Sequence, residues 1–366
     1  MGFLSNIASK TNSRGVEALN YLRNPFPTGA QVVAEVFVER PELDALKREM
    51  EQFLQNPGHA GGFWALQGAR GLGKTNFLRH VELELQRLKG ANLTSGLAVR
   101  YLTAQEAHPR RVMGELFAAL GEPRLQALVK AWSAGAHRLP ETMRSTDFGR
   151  FFSHAARIGE KKEGNAEAVR FLVRWLGGQQ TVKEERETFG VLVRDKLPPA
   201  VALPYLTAII DMLAMREPGL GVVLMIDELE DFQTLGLPER QEYAHTLKTI
   251  VNAFNQKRLF LIAAGQAAAF NTLRGLYPSL GSRWKSADLQ GLRDASEAVK
   301  LARAYMEHEH KQWVAAKEGR TRRGVEHLQP DRKTIEAAFA RSFPNNDHRR
   351  LLTELHDEFE KIAGAR

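Results

Sequence analysis

The residues with the clearest chemical use are the glycine-rich run Gly68–Thr75, which fits the pattern G-x-x-x-x-G-K-[ST] in full. Gly71 and Gly73 can adopt positive φ, which lets backbone N–H groups turn inward around a phosphate. Lys74 supplies a positive charge for β- and γ-phosphates, and the Thr75 hydroxyl is a ligand suited to Mg²⁺. The run therefore predicts a phosphate-binding loop. The alternative is a glycine-rich turn with an incidental lysine.

The pattern assigns every residue of this loop, and the residue that follows it, to contacts with a nucleotide phosphate. These residues are Gly68, Ala69, Arg70, Gly71, Leu72, Gly73, Lys74, Thr75 and Asn76.

A second chemical group is the acidic pair at the end of the apolar run Val222–Ile226. Such a continuous, partly β-branched run is typical of a buried parallel strand. A carboxylate at its end is costly to desolvate unless a cation or hydrogen-bond donors meet it. Together with the phosphate loop, Asp227 is predicted to hold Mg²⁺ and Glu228 to polarise an attacking water. The next two acids, Glu230 and Asp231, are predicted to begin a solvated helix.

The elements that must position these groups are strands that alternate with helices. The apolar runs predict strands at Phe63–Gln67, Leu97–Leu102, Val222–Ile226 and Leu259–Ala264. Alternation of this kind predicts an α/β fold with a parallel sheet covered on both faces. The interval between Thr75 and Asp227 is far longer than one crossover needs, so the mostly helical signals of residues 105–215 predict an insertion.

Composition excludes several other classes of chemistry. The chain has 366 residues and no cysteine, which excludes disulfides, thiolate metal sites and a thiol nucleophile. No apolar run reaches the roughly 18 residues that a membrane span needs, and the N-terminus lacks a secretion signal. We therefore expect a cytoplasmic protein. The net charge of +8 is compatible with a polyanionic partner but equally with an ordinary surface.

With these motifs in place, the sequence resembles the AAA+ P-loop ATPases. The resemblance implies a three-layer sandwich around a central parallel sheet, ATP and Mg²⁺ as cofactors, and ATP hydrolysis. It implies a polar residue after the fourth strand that touches the γ-phosphate and the water, here Gln266. It also implies that Arg283, in Leu280–Trp284, acts on the ATP of a neighbouring subunit, and hence a homo-oligomer. The alternatives are an amide that caps the next helix for Gln266 and a paired surface arginine for Arg283.

Two further segments are similar to the initiator-type branch of that family, which contains origin-recognition and Cdc6-like proteins. Residues 346–352 (NDHRRLL) resemble its lid-helix motif, which implies that Arg349 contacts the γ-phosphate, with the adjacent Arg350 as the alternative. Residues 36–43 (VFVERPEL) resemble the segment that brackets adenine, with Arg40 at its centre. The small, polar and turn-rich residues 1–30 predict an extended N-terminal arm. The resemblance implies a nucleotide-binding domain (31–290) and an α-helical lid domain (291–366).

Part of the insertion and the strand after it resemble ATP-binding proteins of bacterial phage-defence systems such as BREX. The residues that carry this resemblance are 171–191 and GLGVVLMIDELEDF at 219–232. It implies a role in genome defence or mobile-element control.

Two functions follow from these resemblances and stay open. The first is an ATP-driven oligomeric switch or motor on DNA. Its DNA contacts would come from the basic loop KEGRTRRG, through Lys317, Arg320, Arg322 and Arg323. The second is an ATP-gated switch whose 105–215 insertion recruits a protein effector without direct DNA binding. Salt-sensitive affinity for DNA separates the two.

Overall fold

The structure is a computed structural model of the whole chain. It describes residues 15–28, 31–91, 96–109, 111–133, 141–158, 164–192, 197–254, 257–317, 328–342 and 347–365.

Five strands form one sheet in the order β2-β3-β4-β1-β5. They are β1 (Phe63–Gln67), β2 (Leu97–Thr103), β3 (Gly221–Asp227), β4 (Leu259–Gly265) and β5 (Lys285–Asp288). Strands β2, β3 and β4 run parallel, and Asp227 lies opposite Thr103 in the register. All residues of β3 and β4 are buried, which explains why both strands read as unbroken apolar runs.

Besides a helical segment at residues 15–18, fifteen α-helices are found among the described residues. In chain order they are α1 (Asp44–Gln55), α2 (Lys74–Gly90), α3 (Val112–Leu120), α4 (Glu122–Ser133), α5 (Glu141–Arg144), α6 (Asp147–Ile158), α7 (Gly164–Leu176), α8 (Lys183–Thr188), α9 (Pro199–Ala214), α10 (Leu237–Ala253), α11 (Ala267–Leu276), α12 (Pro278–Gly281), α13 (Ala295–Ala316), α14 (Arg332–Ser342) and α15 (His348–Gly364). Helices α3–α9 occupy the region between β2 and β3, where the sequence predicts a helical insertion. None of the helices within the described ranges is long and apolar enough to cross a membrane.

The chain divides into two compact units, which we describe separately. The sheet unit contains residues 45–66 and 85–287, and the phosphate-loop unit contains residues 1–44, 67–84 and 288–366. The predicted α/β fold class with a central parallel sheet is confirmed, and the sheet has five strands. The boundaries of the predicted domains stay a prediction.

The sheet unit has its core between the strands and the inserted helices. Phe148, Phe151, Phe171 and Trp175 are buried in it, together with the apolar residues of β3 and β4. Trp175 is 2% exposed and is therefore a core residue of this unit.

The phosphate-loop unit has a separate core, built largely on helices α13, α14 and α15. Tyr21 and Phe26 from the chain start are fully buried there, and both rings meet Phe359 edge-on. Arg23 pairs with the buried carboxylate of Glu309 at 2.7 Å. The described residues of the N-terminal segment therefore pack into this unit.

Candidate functional site

The phosphate loop has the backbone conformation that its glycines allow. Gly71 and Gly73 have φ values of 83° and 86°, a region that strains other residues. Helix α2 begins at Lys74, directly after the loop, and Phe77 N donates to Gly73 O at 2.9 Å. The first N–H groups of a helix have no acceptor within the helix, and its dipole favours an anion at that end. The loop is therefore built for an anionic ligand.

The ammonium group of Lys74 is held against the backbone of the same loop. Its Nζ donates to the carbonyl oxygens of Gly68 and Ala69, both at 2.9 Å. Lys74 is 8% exposed, which is rare for a lysine. A buried cation fixed to the loop backbone at the start of a helix is suited to phosphate binding.

Helix α15 places its first turn on the phosphate loop, within the same unit. The Asp347 carboxylate caps the helix by accepting from Arg350 N at 2.7 Å. A Cβ atom on Gly71 would lie 2.7 Å from Asp347 Oδ1, and one on Gly73 would lie 3.4 Å from His348 Nδ1. Close packing and positive φ therefore both disfavour a side chain at Gly71, whereas at Gly73 the constraint is the positive φ.

Arg40 joins the loop to helix α15. Its Nη1 donates to Leu72 O at 3.0 Å and lies 3.4 Å from His348 Nε2, while Nη2 donates to Gln290 O. Burial lowers the pKa of Arg40, against the opposing effect of Glu42. Burial also lowers the pKa of His348 to about 3, and the Arg40 charge adds to this shift, while Glu297 opposes it. His348 therefore sits beside Arg40 as a neutral imidazole.

The remaining loop residues differ in their surroundings. Asn76 Nδ2 donates to Val36 O at 2.7 Å, which ties α2 to the segment before the first helix. Thr75 is partly exposed, and Ala69 and Arg70 are more exposed than Leu72, which is buried.

In the sheet unit, Asp227 ends β3 with a buried carboxylate that is 1% exposed. Oδ2 accepts from the Tyr101 hydroxyl at 2.7 Å, and Oδ1 accepts from Glu228 N at 2.8 Å. These two donors offset the desolvation that burial imposes on the carboxylate. Each oxygen keeps further acceptor capacity, as a carboxylate has about four lone-pair sites.

Glu228 follows with an exposed side chain and an unusual backbone. Its φ of 55° and ψ of 39° place it in the left-handed region, which is uncommon for any residue other than glycine. Such strain persists only where surrounding contacts impose it, and it concentrates at functional sites. Here Asp227 Oδ1 holds the Glu228 N–H and Asp231 N donates to Glu228 O at 2.9 Å.

Gln266 lies after β4 and contacts Glu230, to which the sequence assigned no part in the site. Its Nε2 donates to Glu230 Oε1 at 3.3 Å and its backbone N donates to Glu230 Oε2 at 3.2 Å. Gln266 precedes α11, but its side chain makes no capping bond to that helix. Glu230 does lie in the first turn of a short helix, a 3₁₀ turn over Leu229–Thr234, but its carboxylate is bonded and only partly exposed. The expectation of a solvated Glu230 was wrong because its carboxylate is bonded to Gln266. This partner lies 36 residues away in the sequence.

Some of the basic residues predicted to contact a nucleotide or DNA lie within the described residues, and others do not. Arg283 is exposed just before β5 and donates to Asn252 Oδ1. Arg349 is exposed in the first turn of α15. Lys317 pairs with Glu17 at 3.5 Å, and Arg320, Arg322 and Arg323 lie outside the described residues.

The predicted metal ligands have the chemistry that Mg²⁺ prefers. Among the described residues, no group of three or more histidine or acidic side chains could hold a metal ion. Mg²⁺ does not need one, because proteins often bind it with one or two oxygen ligands, phosphates and water. The Asp227 carboxylate and the Thr75 hydroxyl both supply hard oxygen atoms, so these residues fit the ion.

Comparison with protein families identifies the family of this chain. Residues 123–310, just over half of the chain, match the model of the BREX system ATP-binding protein BrxC/D. The chain belongs to the BrxC/D family. The matched range includes Asp227, Glu228, Gln266 and Arg283 and begins after the phosphate loop. The resemblance to BREX proteins is therefore confirmed, and no curated protein sequence matches the chain.

Solved structures similar to this BrxC/D-family chain include proteins of Aeropyrum pernix. The ORC1 protein in complex with DNA has 16% identity and a TM-score of 0.39, over 89% of this chain and 60% of that one. The ORC2 protein in its ADP form has 14% identity and a TM-score of 0.45, over 92% and 70% of the two chains. Its ADPNP–ADP complexes have 14% identity and a TM-score of 0.42, over 92% and 71%. The chain thus spans about 60% of the length of the ORC1 protein that it matches.

Proposed function

We propose that this BrxC/D-family protein hydrolyses ATP with Mg²⁺ and acts through that cycle as an oligomeric switch on DNA in phage defence. The observation that carries the proposal is the phosphate loop. Its two glycines at positive φ lead directly into α2, and Lys74 is buried against the loop backbone. This combination of conformation, helix end and cation supports binding of a nucleoside triphosphate.

Different residues would bind the phosphates, accept a proton from the water and orient that water. Lys74 and the loop N–H groups bind the β- and γ-phosphates. Glu228 accepts a proton from the attacking water, and its exposed carboxylate on a strained backbone supports that role. Gln266 orients the same water and the γ-phosphate.

Mg²⁺ would be held by the Thr75 hydroxyl and, through water, by Asp227. When bound, the ion neutralises charge that develops on the phosphates. Asp227 is suited to a fixed position because the Tyr101 hydroxyl and the Glu228 N–H hold both of its oxygens.

Arginines outside the phosphate loop would contact the bound nucleotide and so respond to whether ATP is present. Arg349 is exposed on α15, whose first turn packs on Gly71 within the same unit. Arg40 bonds to Leu72 O and would lie beside the bound nucleotide. Arg283 is exposed, which supports contact with the ATP of a neighbouring subunit and hence assembly when ATP is bound.

The target is proposed to be DNA in the context of phage defence. Membership of the BREX ATP-binding family supports the defence role. The net charge of +8 and the basic residues Lys317, Arg320, Arg322 and Arg323 support contact with a phosphate backbone.

A second candidate is an ATP-gated switch that recruits a protein effector through the inserted helices. The observation that favours it is the exposure of three aliphatic side chains in that region. Val182, Leu192 and Val201 are 55%, 69% and 44% exposed. Exposed apolar side chains are suited to a protein partner, although single ones are common on surfaces.

The test is steady-state ATP hydrolysis with and without duplex and single-stranded DNA, over a range of salt concentrations. Stimulation by DNA that fades with salt supports the switch on DNA. In that case, replacing Arg320, Arg322 and Arg323 by alanine should reduce the salt slope of DNA binding by about one for each lost contact. Hydrolysis indifferent to DNA favours the protein-effector switch. Absence of hydrolysis under all conditions contradicts the proposed activity.

A further inference from the structure

The carboxylate of Glu230 has two contacts with Gln266, both within the sheet unit. It accepts from the backbone N–H of Gln266 at 3.2 Å and from the side-chain Nε2 at 3.3 Å. The two residues belong to different segments, since Glu230 lies in the 3₁₀ turn after β3 and Gln266 follows β4. One side chain therefore fixes both the main chain and the amide of Gln266.

The turn that carries Glu230 is itself fixed by its surroundings. Glu228, at its start, is held in the left-handed conformation by bonds from its own N–H and to its own carbonyl group. On the other side, a Cβ atom on Gly265 would lie 2.9 Å from Leu229 Cβ and 3.1 Å from Glu230 Oε2. Only a glycine at the end of β4 lets the turn come this close.

We propose that Glu230 is a positioning residue that sets the orientation of the Gln266 amide for ATP hydrolysis. A glutamine amide can present either its nitrogen or its oxygen to a neighbour, and the two orientations have nearly the same shape. A carboxylate only accepts hydrogen bonds, so it selects the orientation with nitrogen toward Glu230. The Gln266 oxygen is then free to face away and accept from the attacking water. The remaining N–H bond can donate to a phosphate oxygen.

This inference rests on the proposed function, in which Gln266 contacts the water and the γ-phosphate. It adds a residue to which no role was assigned on sequence grounds. Misplacing a reacting group by about 1 Å can cost a hundredfold in rate, so a residue that fixes the amide affects turnover without touching the substrate.

The informative substitution is Glu230→Gln, which keeps the size of the side chain. Its carbonyl oxygen can still accept from the Gln266 backbone, but its NH₂ group can also donate to the Gln266 oxygen. The amide of Gln266 then loses its single orientation. We expect kcat to fall roughly tenfold, as for other residues that orient a ligand of the active site, while the Kd for ATP changes less than about twofold. Glu239→Gln, at an exposed position at the start of α10, is the matched control.

A double-mutant cycle separates positioning from an independent effect. Gln266→Ala should lower kcat by about a hundredfold, since it removes a group that contacts the transition state. If Glu230 acts only through Gln266, adding Glu230→Gln to Gln266→Ala should change kcat no further. A wild-type kcat in Glu230→Gln, or effects of the two substitutions that multiply, would overturn the proposal.

The amide orientation can also be measured without hydrolysis. In protein labelled with ¹⁵N-glutamine, the Gln266 side-chain signal is identified by its loss in Gln266→Ala. We expect one sharp NH₂ signal in wild type and in Glu239→Gln, and a shifted or broadened one in Glu230→Gln. An unchanged signal would overturn the proposal. If wild type hydrolyses no ATP, the proposed function fails, and this signal still decides whether Glu230 sets the amide.

Discussion

The hydroxyl of Tyr101 on β2 donates a 2.7 Å hydrogen bond to Oδ2 of Asp227 at the end of β3. Because Asp227 is 1% exposed, loss of this donor leaves a buried carboxylate oxygen with one partner fewer. We predict that Tyr101→Phe lowers the free energy of unfolding by about 1–3 kcal/mol. Chemical denaturation measures this change.

Tyr243→Phe is the control, because the same substitution at this position should not lower the free energy of unfolding. Its hydroxyl is buried and, within the part of the chain that the structure describes, has no hydrogen-bond partner. Tyr243→Phe should therefore be neutral or stabilising. Equal losses in Tyr101→Phe and Tyr243→Phe would mean that the bond to Asp227 contributes nothing specific.

Gly71 is predicted to tolerate no side chain. Its φ of 83° disfavours alanine by about 1–2 kcal/mol, and the new Cβ would lie 2.7 Å from Asp347 Oδ1. Gly71→Ala should lower the free energy of unfolding by at least this amount and weaken ATP binding. Gly90→Ala, at the end of α2 with no atom within 4 Å of the new Cβ, should leave both unchanged. If the two substitutions behave alike, the close packing of Asp347 on the loop is wrong.

Several strands of this fold can be predicted from the sequence because buried parallel strands read as continuous apolar runs. The run that predicts β1 has the same bounds as the observed strand, those for β2 and β4 each miss the last residue, and the run for β3 misses one residue at each end. The short edge strand β5 has one buried residue among four, so its composition gives no such signal.

The contacts of the candidate site could not be predicted in the same way. Local periodicity reports which face of an element is buried, but it carries no information about partners far along the chain. Tyr101 and Asp227 are 126 residues apart, and Arg40 and His348 are 308 apart. The phosphate loop, in contrast, is contiguous, so its glycines and lysine are recognisable from their spacing alone.

His348 is predicted to make the stability of the protein depend on pH. Burial and the Arg40 charge lower its pKa from 6.5 to about 3. Between these values the unfolded chain binds a proton that the folded chain does not, so stability falls as the pH drops below about 6.5. His348→Gln should therefore show a smaller loss of unfolding free energy between pH 7.5 and pH 5.5. Denaturation at both pH values measures it, and an identical loss in the two proteins would contradict the assignment.

Lys74 is predicted to be essential for nucleotide binding, because its ammonium group is fixed beside the loop backbone. Lys74→Ala should abolish the rise in melting temperature that ATP causes in the wild type. Lys89→Ala removes a lysine from the exposed last turn of the same helix and should keep that rise. A Lys74→Ala protein that ATP still stabilises to the wild-type extent would rule out the phosphate role.

The central claim, ATP hydrolysis with Glu228 as the base, is tested most directly by measuring binding and turnover of ATP in wild type and Glu228→Gln. The substitution keeps the shape of the side chain but removes its ability to accept a proton. We predict that Glu228→Gln binds ATP as the wild type does and hydrolyses it slower by about 10²–10⁴-fold. Hydrolysis at the wild-type rate would contradict the role of Glu228, and a wild-type protein that binds no ATP would contradict the account as a whole.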